Sequence, residues 1–139
     1  MEEKYIKILL KLSKKAYKKN EVPISCVLVK NNEIISKAYN KKNIKKNPLL
    51  HAEIICLQKA YRKLKRWNLN DCVLYVSLEP CDMCKKIIEE SRIKSVYYIL
   101  KKGNITNKYT KTKYEQTYTM HKENYKEFIE NFFKKLRKK

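Results

Sequence analysis

Three residues suited to a single metal ion stand in two separate places in this chain, and any fold it adopts must bring them together. His51 is followed by Ala52 and Glu53; thirty residues later Pro80-Cys81-Asp82-Met83-Cys84 supplies two thiols three positions apart. One His and two Cys match a catalytic zinc, which takes three protein ligands and keeps its fourth position for water, whereas a structural zinc normally closes its shell with four. Cys81 and Cys84 can reach one ion from a single turn if they open a helix, close to backbone N–H groups that favour negative charge. His51 must then come from a second element. Glu53 is not needed as a ligand and lies close enough to act on zinc-bound water, whose pKa the metal lowers toward neutrality, as a carrier of protons to and from a substrate. Two competing readings stand beside this one. A structural zinc closed by Cys56, Cys72 or His121 uses the same ligands but leaves Glu53 without a task. Glu53 alone also suits a helix start, where the dipole favours a carboxylate.

Periodicity places these motifs on elements. Ile6, Leu9, Leu10, Ala16 and Tyr17 recur at helical spacing, so the chain to about Asn20 reads as an amphipathic helix. Ile24 to Lys30 and Glu33 to Ala38, hinged at Asn31-Asn32, read as a β-hairpin. Tyr39 to Leu50 is a polar, lysine-rich loop, and His51 and Glu53 fall in the first turn of a helix with Ile54, Ile55, Leu57, Tyr61 and Leu64 as its core stripe. Val73 to Ser77 and Ser95 to Leu100 read as strands, and Cys81 to Glu90 as the second metal-bearing helix. Lys101 to Met120 has no clear period and reads as a loop or an irregular strand region. From Lys122 the pattern is helical again through Tyr125, Phe128, Ile129, Phe132, Phe133 and Leu136. The element order suggests an α/β fold, a three-layer α/β/α sandwich around a mixed sheet, in one domain spanning residues 1–139 with a basic aromatic helix at about 122–137.

Charge and cysteine content narrow the setting. Five Cys, an odd number, without an export signal or a membrane-length apolar run point to reduced thiols and a cytoplasmic address, with no membrane partner. Cys26, Cys56 and Cys72 sit among apolar residues and read as core. The formal charge of +20 suits a polyanion partner. The competing reading is compositional: of 34 basic residues all but Arg62, Arg66, Arg92 and Arg137 are Lys, and one Gly among abundant Asn, Ile and Tyr fits an A+T-rich genome. The basic cluster Lys134, Lys135 and Arg137 beside Phe132 and Phe133 is the better signal for nucleic acid. One of the two Phe belongs to the helix's buried stripe and the other is free to stack on a splayed base, with the basic residues meeting phosphates; a solvated helix face is the alternative. Tyr109, Tyr114 and Tyr118, interleaved with lysines, suggest a similar but weaker surface. His121 has no assigned role.

The His-x-Glu and Pro-Cys-x-x-Cys pair resembles the zinc-dependent nucleobase deaminases. Pro23, Asn40, Asn47 to Ile54, Leu74 to Cys84, Ser91-Arg92-Ile93 and Phe132 to Arg137 sharpen this to a resemblance with the bacterial tRNA-specific adenosine deaminases over nearly the whole chain. The resemblance implies a cytidine deaminase-like fold with a five-stranded sheet and one Zn2+ per subunit held by His51, Cys81 and Cys84. It also implies a homodimer with sites near the subunit interface, a tRNA anticodon stem-loop as partner, and Asn40 holding the flipped base. In the implied reaction a zinc hydroxide formed with Glu53 as base attacks C6 of the wobble adenosine in an ACG anticodon, and inosine results. Asn40 has a plainer alternative, since Asn ends many strands. The chain also departs from the family's pattern. Where an Asp-x-Lys-x-Gly segment is usual, it has Ile99-Leu100-Lys101-Lys102-Gly103-Asn104, and Lys102 cannot accept a ribose hydroxyl proton as a carboxylate would. Ser25-Cys26 stands where a Gly is usual. A deaminase of free bases or nucleosides, guanine or cytosine type, is the second reading, and a non-catalytic RNA-binding partner subunit the third.

Overall fold

A computed structural model describes residues 3–102, 110–117 and 119–137. The elements in chain order are α1 (Glu3–Lys18), β1 (Ser25–Lys30), β2 (Glu33–Tyr39), α2 (Ala52–Leu64), β3 (Val73–Leu78), α3 (Asp82–Glu90), β4 (Ser95–Leu100), β5 (Lys113–Gln116) and α4 (Lys122–Arg137). The strands form one sheet in the order β2-β1-β3-β4-β5. It is mixed: β1 runs antiparallel to β2 and β3, while β3, β4 and β5 are parallel.

Alternation along the strands divides the core into two layers. Cys26 and Leu28 of β1 join Leu74, Val76 and Val96 under α2 and α3. Val27 and Val29, the residues between and beyond them, point to the other face with Tyr5, Ile6 and Leu9 of α1 and Tyr125 and Ile129 of α4. β1 is buried on both faces because strands flank it on both sides and helices cover it above and below. The sandwich expected from the element order is therefore present, with four helices about a five-stranded mixed sheet.

Local chemistry explains the joints. Asn31 and Asn32 both have positive φ, 49° and 62°, as a two-residue hairpin turn of the primed type requires. The left-handed residue after α1 is also an Asn, Asn20. In a chain with one Gly, the remaining such positions among the described residues fall to Lys46, Lys65 and Arg92, which accept a steric cost that Gly would avoid. Tyr125 ties the layers together: its buried hydroxyl bonds Pro23 O at 2.8 Å and Ser77 Oγ at 2.9 Å.

Three details differ from the reading of the sequence. His51 and Cys81 do not lie within helices; each is the extended N-cap residue of the helix that follows. The stretch from Lys101 to Met120 contains a short strand, β5, whose exposed edge position gives it too little apolar alternation to stand out. On α4 the buried stripe is Tyr125, Ile129 and Phe132, while Phe133 and Leu136 face outward. No helix among the described residues is long and apolar enough to cross a membrane.

Candidate functional site

Topology brings the two halves of the metal motif together. Ser25 at the start of β1 pairs with Tyr39 at the end of β2, and Cys26 pairs with Val76 near the end of β3. The exits of β2 and β3 therefore lie side by side, and α2 and α3 begin there. Their N-termini converge on one point, outside the carboxyl ends of parallel strands where α/β sheets place ligands. An N-cap side chain normally bonds its own helix, but those of His51 and Cys81 make no such bond. They face one another instead.

The donor atoms of His51, Cys81 and Cys84 lie within 4.8 Å of one another. His51 Nδ1 is 3.8 Å from Cys81 Sγ and 3.6 Å from Cys84 Sγ. A tetrahedral zinc with bonds of about 2.3 Å to sulfur and about 2.0 Å to nitrogen separates such donors by about 3.6 Å. The three residues therefore fit a zinc ion. The thiols are prepared for it. Cys81 is held down to about 5, chiefly by the hydrogen bond it accepts from the Cys84 thiol; burial opposes this, and the Cys84 N–H, His51 and Lys102 reinforce it. Cys84 is pushed up by the same bond, by burial and by the nearby Glu53. The pair thus shares a proton that a cation can displace. A fourth protein ligand is not at hand: among the described residues this is the only such cluster. Cys56 contacts the Ser36 hydroxyl, Cys72 sits beside Asp71, and His121 pairs with Glu3 at 2.9 Å.

Glu53 is the conspicuous member of the site. It is 4 % exposed, and its Oε1 has no hydrogen-bond partner. Burial, first of all, holds its carboxyl above the ordinary value, against the lowering effect of its own backbone N–H and the Cys84 thiol. An unsatisfied buried acceptor costs about 1–3 kcal/mol, so its retention fits a task at the site. The cleft it faces is also lined by Asn40, Glu79 and Lys102. Glu79, 3 % exposed, accepts from the Lys102 N–H at 3.1 Å and pairs with Lys85 at 2.9 Å, which anchors the segment carrying Lys102 at the mouth. A larger groove of about 530 Å³ beside Asn68, Arg92, Lys94 and Thr112 lies at the opposite ends of β3 and β4, away from these donors.

The other expected contacts lie elsewhere. Phe132 is 3 % exposed and packs edge-on against Tyr17 of α1 at 5.7 Å, so it has no face to offer a base. Phe133, 39 % exposed, rests edge-on against Phe132 and is the member of the pair that faces solvent. Lys134, Lys135 and Arg137 are exposed, and Lys135 Nζ lies 5.5 Å from the Tyr17 ring. Tyr114 is engaged with Glu89 at 2.8 Å, while Tyr109 and Tyr118 lie outside the described residues.

One basic cluster was missed by the sequence reading. Lys15, Lys19 and Lys41 place their ammonium groups 5.8, 5.8 and 5.0 Å from the Tyr39 ring. Burial pushes the Tyr39 phenol up, but the hydrogen bond from Lys19 and the charges of Lys19, Lys41 and Lys15 outweigh it and leave it lowered. The i, i+4 spacing of Lys15 and Lys19 was a visible signal, since it sets two like charges on one face. Lys41 joins them only through the fold.

Comparison with known proteins agrees with this geometry. Residues 1–100 match the model of the cytidine and deoxycytidylate deaminase zinc-binding region. A tRNA-specific adenosine deaminase of Aquifex aeolicus is 37% identical over 97% of this chain and 95% of its own length. The tRNA-specific adenosine deaminase of Bacillus subtilis is 41% identical over 70% of this chain, a match that spans 60% of the relative. A solved structure from work on A-to-I editing by tRNA:A34 deaminases at the wobble position superposes with a TM-score of 0.74 at 26% identity, covering 81% of this chain and 95% of that one. A guanine deaminase structure from Bacillus subtilis has a TM-score of 0.67 at 32% identity, over 73% of this chain and 66% of that one.

Proposed function

We infer that this chain, which belongs to the zinc-binding family of cytidine and deoxycytidylate deaminases and within it to the tRNA-specific adenosine deaminases, converts the wobble adenosine of a tRNA with an ACG anticodon to inosine. The observation that carries the chemical part is the buried, unpartnered Oε1 of Glu53 beside the donors of His51, Cys81 and Cys84. His51, Cys81 and Cys84 would hold a zinc ion, which when bound would supply a water of lowered pKa and Lewis-acid stabilisation of negative charge. Glu53 takes a proton from the attacking water, passes it to the ring nitrogen, and carries the next one to the departing ammonia. Burial, which holds its carboxyl above the ordinary value, makes it a better proton acceptor than an exposed carboxylate. Asn40 holds the base that has been turned out of the loop, and the low stacking of an anticodon loop keeps that extrusion inexpensive.

The tRNA assignment draws its support from the relatives and from the basic faces. Phe133 offers an exposed ring for stacking. Lys134, Lys135 and Arg137, with Lys15, Lys19 and Lys41, meet phosphates. Ile44, Leu49 and Met83 are exposed apolar residues on the segments that carry the site, which suits their burial in a homodimer interface. A cytoplasmic address follows from the substrate. The guanine deaminase likeness favours a second reading, turnover of a free base.

Zinc-loaded protein incubated with an ACG anticodon stem-loop, and in parallel with free adenosine, cytidine and guanine, separates the two by product mass. Inosine from the stem-loop alone is the expected result; product only from a free base or nucleoside would overturn the tRNA reading. Stem-loop binding should weaken steeply with salt. Replacing Lys134, Lys135 and Arg137 together by Ala should flatten the log–log salt slope by about 0.7 for each phosphate that these side chains neutralise. An unchanged slope would remove these residues from the interface.

A further inference from the structure

We propose that Glu21 is a positioning residue of this site, fixing the side-chain amide of Asn40 and the loop that runs from Asn40 to the metal ligand His51. Glu21 is fully buried, at 0 % exposure, just past the end of α1. Its carboxylate is directed entirely at the segment after β2. Oε1 accepts from Asn40 Nδ2 at 3.4 Å and from the Asn43 N–H at 3.0 Å; Oε2 accepts from the Ile44 N–H at 2.6 Å. The same loop is closed on itself by Lys41 N to Leu50 O at 3.0 Å, the bond immediately before His51. One buried carboxylate thus anchors a loop with the base contact at its start and a zinc ligand at its end.

The bond to Asn40 carries chemical information. A side-chain amide has an oxygen that only accepts and an NH2 that only donates, and the two can exchange places by a half-turn. A carboxylate oxygen facing that amide admits the NH2 and repels the oxygen. Glu21 therefore selects one orientation of Asn40. One of its N–H groups is engaged with Glu21, and the other N–H and Oδ1 are left for the cleft that Asn40 lines. Without Glu21 both orientations become accessible, and only one of them matches a given base edge.

This inference rests on the reading of Asn40 as a base contact, and a double-mutant cycle distinguishes the two. Asn40→Ala, Glu21→Gln and the double variant are compared by kcat and KM for inosine formation on the ACG stem-loop, with zinc content matched. Asn40→Ala should lower kcat/KM, and Glu21→Gln should lower it about 10-fold, as loss of one oriented hydrogen bond implies. The double variant should lose less than the product of the two single losses, because part of the Glu21 effect acts through Asn40 and only the rest through the Asn43 and Ile44 N–H groups. Losses that multiply would overturn the positioning role and leave the Asn40 contact standing, whereas an Asn40→Ala enzyme with full activity would overturn the contact itself. Stability supplies an independent reading. Asn40→Asp sets a second carboxylate against Glu21 and should lower the denaturation midpoint. Adding Glu21→Gln removes the like-charge contact and should recover part of it, the remainder being the bond from the Asn43 N–H that an NH2 at the Oε1 position cannot accept; no recovery at all would mean the two side chains do not face each other in solution.

Discussion

Glu53→Ala should leave a folded, zinc-loaded protein that no longer makes inosine. A positioned general acid/base contributes about 10²–10⁴-fold, and Glu53 handles the proton in more than one step of the proposed sequence, so kcat should fall at least that far. Metal analysis should find the zinc retained, because His51, Cys81 and Cys84 make the donor group without this carboxylate. Stability changes in the opposite sense to activity. A carboxyl whose folded-state value is raised by burial stabilises the fold fully only below its unfolded value of about 4.3, and that contribution is lost as pH rises through the raised value. Above that range, burying this carboxyl is thus a net cost to the chelated protein. Glu53→Gln keeps the shape and removes the charge, so its thermal midpoint at pH 7 should equal or exceed that of the parent. Retained turnover in either variant would remove Glu53 from the proton path, and a large drop in midpoint would give it a structural task instead.

Loss of a zinc ligand should abolish both metal binding and activity. Cys84 is fully buried with its sulfur 3.6 Å from His51 Nδ1, and a hydroxyl in its place cannot supply a thiolate. Cys84→Ser should take zinc content from about one per chain to near zero after dialysis. Stability should fall with it, since a ligand at 1,000 times its Kd stabilises the folded state by about 4 kcal/mol. Chelation of the parent protein should reproduce the same loss and zinc addition should reverse it, while Cys84→Ser should not respond. A variant that still held one zinc would show that another residue can close the shell. The alternatives that the sequence offered have other partners: Cys56 lies against Ser36, Cys72 against Asp71, and His121 is paired with Glu3.

Much of the fold was legible because period follows secondary structure. The stripe of α1, the Asn-Asn hinge of the β1–β2 hairpin and the apolar strands β3 and β4 are local patterns, set by which backbone conformations those residues tolerate. β5 was not legible. A four-residue edge strand with three exposed positions carries almost no alternation, and its pairing with β4 supplies what its own sequence does not. The orientation of α4 was half legible. Helical spacing placed Phe132 and Phe133 on adjacent faces, but only the ring of Tyr17 decided that Phe132 is the one covered.

The site divides in the same way. The candidate donors His51, Cys81 and Cys84, and Glu53 as the proposed proton carrier beside them, could be picked out by residue type and spacing, because metal chemistry restricts both and the restriction survives in one dimension. The placement of His51 and Cys81 as N-caps did not follow, since a helix boundary depends on where side chains find their partners. Nor did Glu21, which reads as an ordinary acidic residue after a helix. Its meaning comes from three donors at positions 40, 43 and 44 that meet it only when the β2 exit folds back over α1. The Lys15, Lys19 and Lys41 cluster around Tyr39 is similar, with one pair visible as a helical spacing and the third member delivered by the sheet. What the sequence determined by itself is the chemistry that local residue types can perform. The tertiary structure alone decided which distant groups stand within hydrogen-bonding or Coulombic reach, because those forces fall off over a few ångströms and depend on where the chain returns, not on how far along it a residue lies.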